Sequence, residues 1–175
     1  RGSYARDGGG VLISQAIHTL DLMLSMAGPV KTVHALCATT PLHRMESEDF
    51  ASGLIEFESG AFGSVFTSTA SFPGDAESLI FNCDKATAIL KSGILIVKWR
   101  DGRTERFGNV AATGGGSDPM AFPYEWHKSL IHDFVISIKN KRQPRVTGFH
   151  ALQVHRLINA FEKSSREGRK VLVQD

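Results

Sequence analysis

The chain is sparing in the features that assign a sequence quickly. It has two cysteines in 175 residues, Cys37 and Cys83. Both sit in strand-like apolar segments without metal-ligand spacing, and nothing favours a disulfide between them, so they read as reduced core thiols of a cytoplasmic protein. Neither sign of charge is in excess. A net +2 gives no electrostatic reason to expect a nucleic-acid or acidic-membrane partner. Apolar runs such as residues 93–97 are far too short to cross a bilayer, and no signal-peptide pattern opens the chain. The pairs His127/His132 and His150/His155 are five apart rather than the four of a zinc-binding helix, so no metal is expected. No internal repeat is present. An initiator methionine is absent too: the chain opens at Arg1, and glycines follow within seven residues, so a piece of a longer protein is expected.

What is present describes an ordinary globular chain. With 42% hydrophobic and 22% charged residues, it is long enough for one domain with a proper core. Residues 10–27 read as a helix with Ile13, Ile17, Leu20 and Leu24 on one face, spaced 4, 3 and 4, and Gly28-Pro29 stops it. Strands are expected at 30–40, 49–57, 62–72, 77–83, 87–90, 94–99 and 104–107. In 62–72 one parity carries Phe62, Phe66 and Phe72, and the other carries small and hydroxylated residues. Turns at Lys91-Ser92-Gly93 and Asp101-Gly102 favour antiparallel neighbours. Residues 109–123 read as a loop, mobile at Gly114 to Ser117. Two helices follow. One has an apolar face of Trp126, Leu130, Ile131, Phe134, Val135 and Ile138, with Pro123 in its first turn. The other uses Ala151, Val154, Ile158 and Phe161, with Thr147 as N-cap and Gly168 at its end. A short strand at 170–173 closes the chain. The expected architecture is α+β: a mostly antiparallel, open-faced sheet with helices packed on one face. The uncovered face, if apolar, suits a second subunit.

The chemistry concentrates at residues 7–23, DGGGVLISQAIHTLDLM. At 100° per residue Ser14, His18, Asp21 and Ser25 fall within about 60°, away from the apolar positions, so His18 lies on a polar stripe. A helical histidine there is usually inert, yet an imidazole is the side chain suited to proton transfer near neutral pH. Gly8, Gly9 and Gly10 have two readings: a flexible turn that starts the helix, or bare main chain that lets a ligand come close.

The run GGGVLISQAIHTLDLM followed by Gly28-Pro29-Val30 resembles the family of glucose–fructose oxidoreductase and inositol dehydrogenase, the Gfo/Idh/MocA family. ESEDFASGLIEFESGAFGSVFTSTASFPG, residues 46–74, is similar to the family's strand region after that helix. FNCDKATAIL is similar to its strand-turn-strand region, with Cys83 and Lys85-Ala86 where glycines are common. TGFHALQVHRLINAFEKSSREGRKVLV, residues 147–173, is similar to its terminal helix and strand. The resemblance spans nearly the whole chain, as the family's C-terminal domain.

It implies that residues 1–175 are a substrate and oligomerisation domain, preceded in such enzymes by a Rossmann domain that binds NAD or NADP and is absent from this chain. Gly8-Gly9-Gly10 is no dinucleotide fingerprint, and the family's E-K-P lysine is missing. The implied reaction is hydride transfer at a sugar-like or cyclitol hydroxyl. His18 aligns with the catalytic histidine, Ser14 and Gln15 lie on the substrate side, and Gly8, Gly9 and Gly10 lie near the nicotinamide. Ser14 stands where many members have aspartate. Asp21 either holds the His18 ring or makes a helix-to-loop contact, and Tyr124 and Trp126 are further candidates for substrate contact, with Trp126 read first as an anchor of its helix on the sheet. Homo-oligomerisation through the open sheet face is expected. The competing reading, supported by Ser14, is a non-catalytic module for dimerisation or ligand sensing.

Overall fold

The computed structural model describes residues 2–109 and 124–173. The expected loop at 109–123, with its glycine tract and Pro123, therefore lies outside the described residues except for Asn109. The described chain is α+β and contains two compact units, Arg1–Gly74 with Thr147–Asp175, and Asp75–Val146.

The first unit begins with a short helix α1 (Tyr4–Asp7). A π-helical turn (Leu12–Ala16) then runs into α2 (Ile17–Ala27). Strands β1 (Val30–Ala38), β2 (Phe50–Phe57) and β3 (Phe62–Ser68) follow, and the unit closes with α4 (Gly148–Glu167) and β8 (Val171–Leu172). Its sheet is antiparallel in the order β3-β2-β1-β8. The second unit holds β4 (Ser78–Asn82), β5 (Ala86–Lys91), β6 (Ile94–Trp99), β7 (Thr104–Phe107) and α3 (Glu125–Lys139). Its four strands form a separate antiparallel sheet in chain order. One continuous sheet was the expectation. The chain instead leaves β3 at Ser68 and starts a new ladder after Gly74, because 71–74 (Ser-Phe-Pro-Gly) cannot continue pairing. In the second sheet Ser92 and Gly93 both take positive φ, 53° and 77°, the backbone that a tight hairpin between β5 and β6 requires.

The core of the first unit lies between β1–β2 and helices α2 and α4. Val33, Ala51, Ile55 and Phe57 of the sheet and Val154, Leu157, Ile158 and Phe161 of α4 are all buried, with α4 packed on β1 and on α2. Phe161 has no exposed surface, and a Cβ on Gly53 would stand 2.8 Å from its ring. The helix sits so close to the sheet that only a small-residue face can meet it. This settles which face of the sheet is open. The small parity of β3 lies on the α4 side with Gly53. The aromatic parity faces away, leaving Phe62, Phe66, Leu36 and Leu54 exposed.

Helix α4 starts and stops where its sequence signals stand. The Thr147 hydroxyl accepts from the His150 N–H, and Gly168 adopts the left-handed conformation after the last turn. Helix α3 also forms, but Trp126, Leu130, Ile131, Phe134 and Ile138 are exposed, so Trp126 does not act as a buried anchor. Cys37 is half-buried in β1 and unpaired, whereas Cys83 follows β4 and is exposed rather than part of a core.

The first long helix differs from expectation in one consequential way. Its buried residues are Leu12, Ala16, Leu20 and Met23, spaced 4, 4 and 3. At 100° per residue these four lie within an arc of about 80°, a regular helical face that shares Leu20 with the expected one and leaves Ile13, Ile17 and Leu24 half-buried at its edge. By length and hydropathy alone, residues 4–27 could cross a membrane. They are broken at Gly8–Gly10, however, and their buried positions belong to this core.

Candidate functional site

The candidate site is built on the start of α2 and the segment that docks beneath it. Gly8 takes φ 79° and donates its N–H to the Tyr4 carbonyl at 3.1 Å, ending α1. Gly9 and Gly10 are buried. A Cβ on Gly10 would stand 1.8 Å from the Glu48 carbonyl oxygen, so no other residue fits without moving one of the two backbones. Neither reading of the glycines names this contact: Gly10 is bare because the chain's own Glu48 backbone lies against it.

Glu48 secures the helix start twice. Its carbonyl accepts the Val11 N–H at 2.8 Å, and its carboxylate Oε1 accepts the Leu12 N–H at 3.0 Å. A carboxylate there satisfies first-turn donors and complements the positive end of the helix dipole. Glu48 is itself held by the segment around it. The Gly2 carbonyl accepts from the N–H groups of Glu46 and Ser47, both at 3.0 Å, and Glu46 Oε2 accepts the Tyr4 N–H at 3.1 Å. Behind it, Asp49 is completely buried and accepts from the Thr40 N–H, the Thr40 hydroxyl and His43 Nδ1, each at 2.7 Å. Burial pushes the Asp49 carboxyl up, but Thr40 and His43 together outweigh it and hold the group below the usual carboxylate range.

On this platform Ser14, Gln15, His18, Asp21 and Ser25 all lie exposed. The polar stripe therefore forms, and His18 is not covered by packed side chains among the described residues. Ser14 donates its hydroxyl to the Gly10 carbonyl at 2.7 Å, which commits its proton to the backbone and leaves its lone pairs free. His18 and Asp21 make no hydrogen bond to each other, so the expected fixing of the ring by Asp21 is not realised among the described residues. Gly8 is exposed and a Cβ there would touch nothing within 4 Å. Tyr124 and Trp126 belong to the second unit and are also exposed. Among the described residues no cluster of three or more His, Cys, Asp or Glu side chains could hold a metal.

Chemically, the stripe offers an open imidazole flanked at helical spacing by a hydroxyl and a carboxamide. That set can hydrogen-bond a polyhydroxylated ligand and move one proton. Glu48 and Asp49, which shape the site, carried no signal of their own in the sequence. Their partners lie 36 residues away in Leu12, and in a neighbouring turn.

A family model described as "Oxidoreductase family, C-terminal alpha/beta domain" matches residues 2–173. No curated protein sequence matches the chain. Among solved structures it is similar to levoglucosan dehydrogenase in complex with NADH and levoglucosan, at 19% identity and a TM-score of 0.79, over 96% of this chain and 51% of that one. The WlbA dehydrogenase from Bordetella pertussis, in complex with NADH and UDP-GlcNAcA, shares 23% identity at a TM-score of 0.68, over 100% of this chain and 48% of its own. An oxidoreductase from Agrobacterium radiobacter, in complex with NAD+, L-tartaric acid and magnesium, shares 21% identity at a TM-score of 0.74, over 93% and 48%. The chain thus spans about half the length of these proteins, and at such identities the likeness establishes the fold. The match over residues 2–173 establishes more: this chain belongs to the Gfo/Idh/MocA oxidoreductase family, as its C-terminal α/β domain.

Proposed function

We propose that the chain is the substrate and oligomerisation part of an NAD- or NADP-dependent oxidoreductase acting on a sugar-like or cyclitol hydroxyl, with His18 as its acid–base group. The observation that carries this reading is the exposed imidazole of His18, on a helix whose start is locked by Gly10 and Glu48. A bound nicotinamide would supply the hydride acceptor or donor for the carbinol carbon. Neutral His18 takes the hydroxyl proton as hydride leaves and returns it in the reverse direction. Ser14 Oγ and Gln15 orient hydroxyls of the substrate. The open backbone at Gly8 leaves room for a ring beside the helix, with Gly9 and Gly10 holding that backbone in place. Without a phosphate-binding glycine loop following a strand, these residues do not hold a dinucleotide alone, so its binding falls mainly to an N-terminal Rossmann domain outside this chain. The structural neighbours bound to levoglucosan and to UDP-GlcNAcA support the substrate class.

The exposed Leu36, Leu54, Phe62 and Phe66 support homo-oligomerisation through the open face of the first sheet. Light scattering on the chain and on Phe66→Asp tests this part. An identical mass for the two proteins, both monomeric, contradicts it.

A second reading, a non-catalytic module for dimerisation or ligand sensing, draws on Ser14. Its hydroxyl proton is bonded to Gly10 and it supplies no carboxylate beside His18. The two readings separate when the chain is expressed with its native upstream region and assayed for nicotinamide reduction over a panel of sugars and cyclitols. The enzyme turns over and the module does not.

A further inference from the structure

Ser14 lies in the π turn (Leu12–Ala16), and a π turn inside an α-helix recurs at functional sites. Its Oγ stands 2.7 Å from the Gly10 carbonyl oxygen, which also accepts the Ser14 N–H at 3.0 Å. A carbonyl has no proton to give, so the hydroxyl is the donor. Gly10 is held in turn: it is buried, and the amides of Val11 and Leu12 that follow it bond to Glu48. The hydroxyl proton is thus committed to a fixed backbone group. The side chain is nevertheless exposed, and its lone pairs remain able to accept. Residues 11–27 include no lysine or arginine, so no long cationic side chain of this helix occupies them. His18 stands four residues on. Side chains at that spacing are neighbours, with Cβ atoms about 5–6 Å apart, so one small ring can meet both.

We propose that Ser14 determines substrate specificity as an acceptor alone: it takes a hydrogen bond from a second hydroxyl of the ring whose reacting hydroxyl meets His18. This rests on the oxidoreductase reading and adds a sign to it. A ring substituent that accepts but cannot donate, such as fluorine or an ether oxygen, is served only if Ser14 gives up its bond to Gly10. The favoured substrates are therefore polyols with a free hydroxyl at that position, and their deoxyfluoro or ether counterparts are rejected.

The test is kcat/KM of the chain joined to its native upstream region. The compounds are D-glucose, D-xylose, levoglucosan and myo-inositol, each with its singly deoxygenated and singly deoxyfluorinated analogues. At one ring position the fluoro analogue is expected to lose about 3–10-fold, the range of one uncharged hydrogen bond, and to do no better than the deoxy analogue. Ser14→Ala is expected to erase that loss. Ser14→Thr is expected to keep it, because a threonine hydroxyl can make the same bond to the carbonyl four residues back. The electronic effect of fluorine on hydride transfer is common to the parent protein and its variant, and it cancels between them. A fluoro analogue better than the deoxy one at that position, an equal loss in Ser14→Ala, or no position-specific loss in the parent protein overturns the inference and leaves the oxidoreductase reading standing. No turnover with any of the four unsubstituted compounds removes that reading, and the inference with it.

Discussion

Replacing Gly10 with alanine puts a methyl group 1.8 Å from the Glu48 carbonyl oxygen and 2.6 Å from its carboxyl carbon. Non-bonded heavy atoms rest at roughly 3.5 Å, so one of the two backbones must move by well over an ångström. That movement breaks the 2.8 Å bond from Val11 to the Glu48 carbonyl, worth about 1 kcal/mol net. It also breaks the 3.0 Å bond from Leu12 to the carboxylate, worth about 1.5–3 kcal/mol because the acceptor is charged. The expected loss is roughly 2.5–4 kcal/mol, a large share of the ~5–15 kcal/mol by which domains are stable. Gly8→Ala is the control. Its φ of 79° strains an alanine, but a Cβ there meets nothing, so only about 1 kcal/mol is lost. The assay is urea unfolding followed by far-UV circular dichroism, with hydrogen exchange at the Val11 and Leu12 amides. Tryptophan fluorescence does not serve, because Trp99 and Trp126 both belong to the second unit. If Gly10→Ala costs no more than Gly8→Ala, the close packing of Gly10 on Glu48 is wrong.

Four further outcomes are expected. Phe161→Ala empties a fully buried ring site and costs about 3–5 kcal/mol in the same unfolding assay, whereas Phe66→Ala, on the exposed face, costs far less in the monomer. Because the folded Asp49 carboxyl titrates below its unfolded value, its contribution is complete above the ordinary carboxylate range and is lost as pH falls through that range toward the lowered folded value. Urea midpoints measured down an acid series fall less steeply in Asp49→Asn than in the parent. The two thiols separate with a maleimide at pH 8: exposed Cys83 labels fast, and half-buried Cys37, pushed up to about 12 by its surroundings, labels slowly. Glu48→Gln keeps an acceptor for Leu12 but removes the charge, so the variant folds with faster exchange at the Leu12 amide than the parent.

Much of this architecture is legible in the residues because it is local. Thr147 three residues before His150, Gly168 after the last turn of α4, and the Ser92-Gly93 hairpin each act within a few residues of their position. The polar stripe of Ser14, His18 and Asp21 is likewise a matter of spacing along one helix. What escaped is non-local. The buried face of the first long helix, Leu12, Ala16, Leu20 and Met23, fits the regular period as well as the expected one does, and packing against α4 chose between them. Glu48 caps a helix 36 residues upstream, and Asp49 is buried by partners across a turn, so nothing in the run ESED distinguishes them from solvated acids. The division into two sheets depends on which strands find partners, which periodicity within each strand does not encode. The reaction itself was suggested by family resemblance, and the geometry of this chain adds an open imidazole on a rigidly held helix.

The most direct test of the central claim is steady-state turnover of the chain joined to its native upstream region, compared with its His18→Ala variant at matched folding. The expected result is a fall in kcat of about 10²–10⁴-fold, as for loss of a general acid–base group, with an unchanged unfolding midpoint because His18 is exposed. Turnover that survives the substitution undiminished would contradict it.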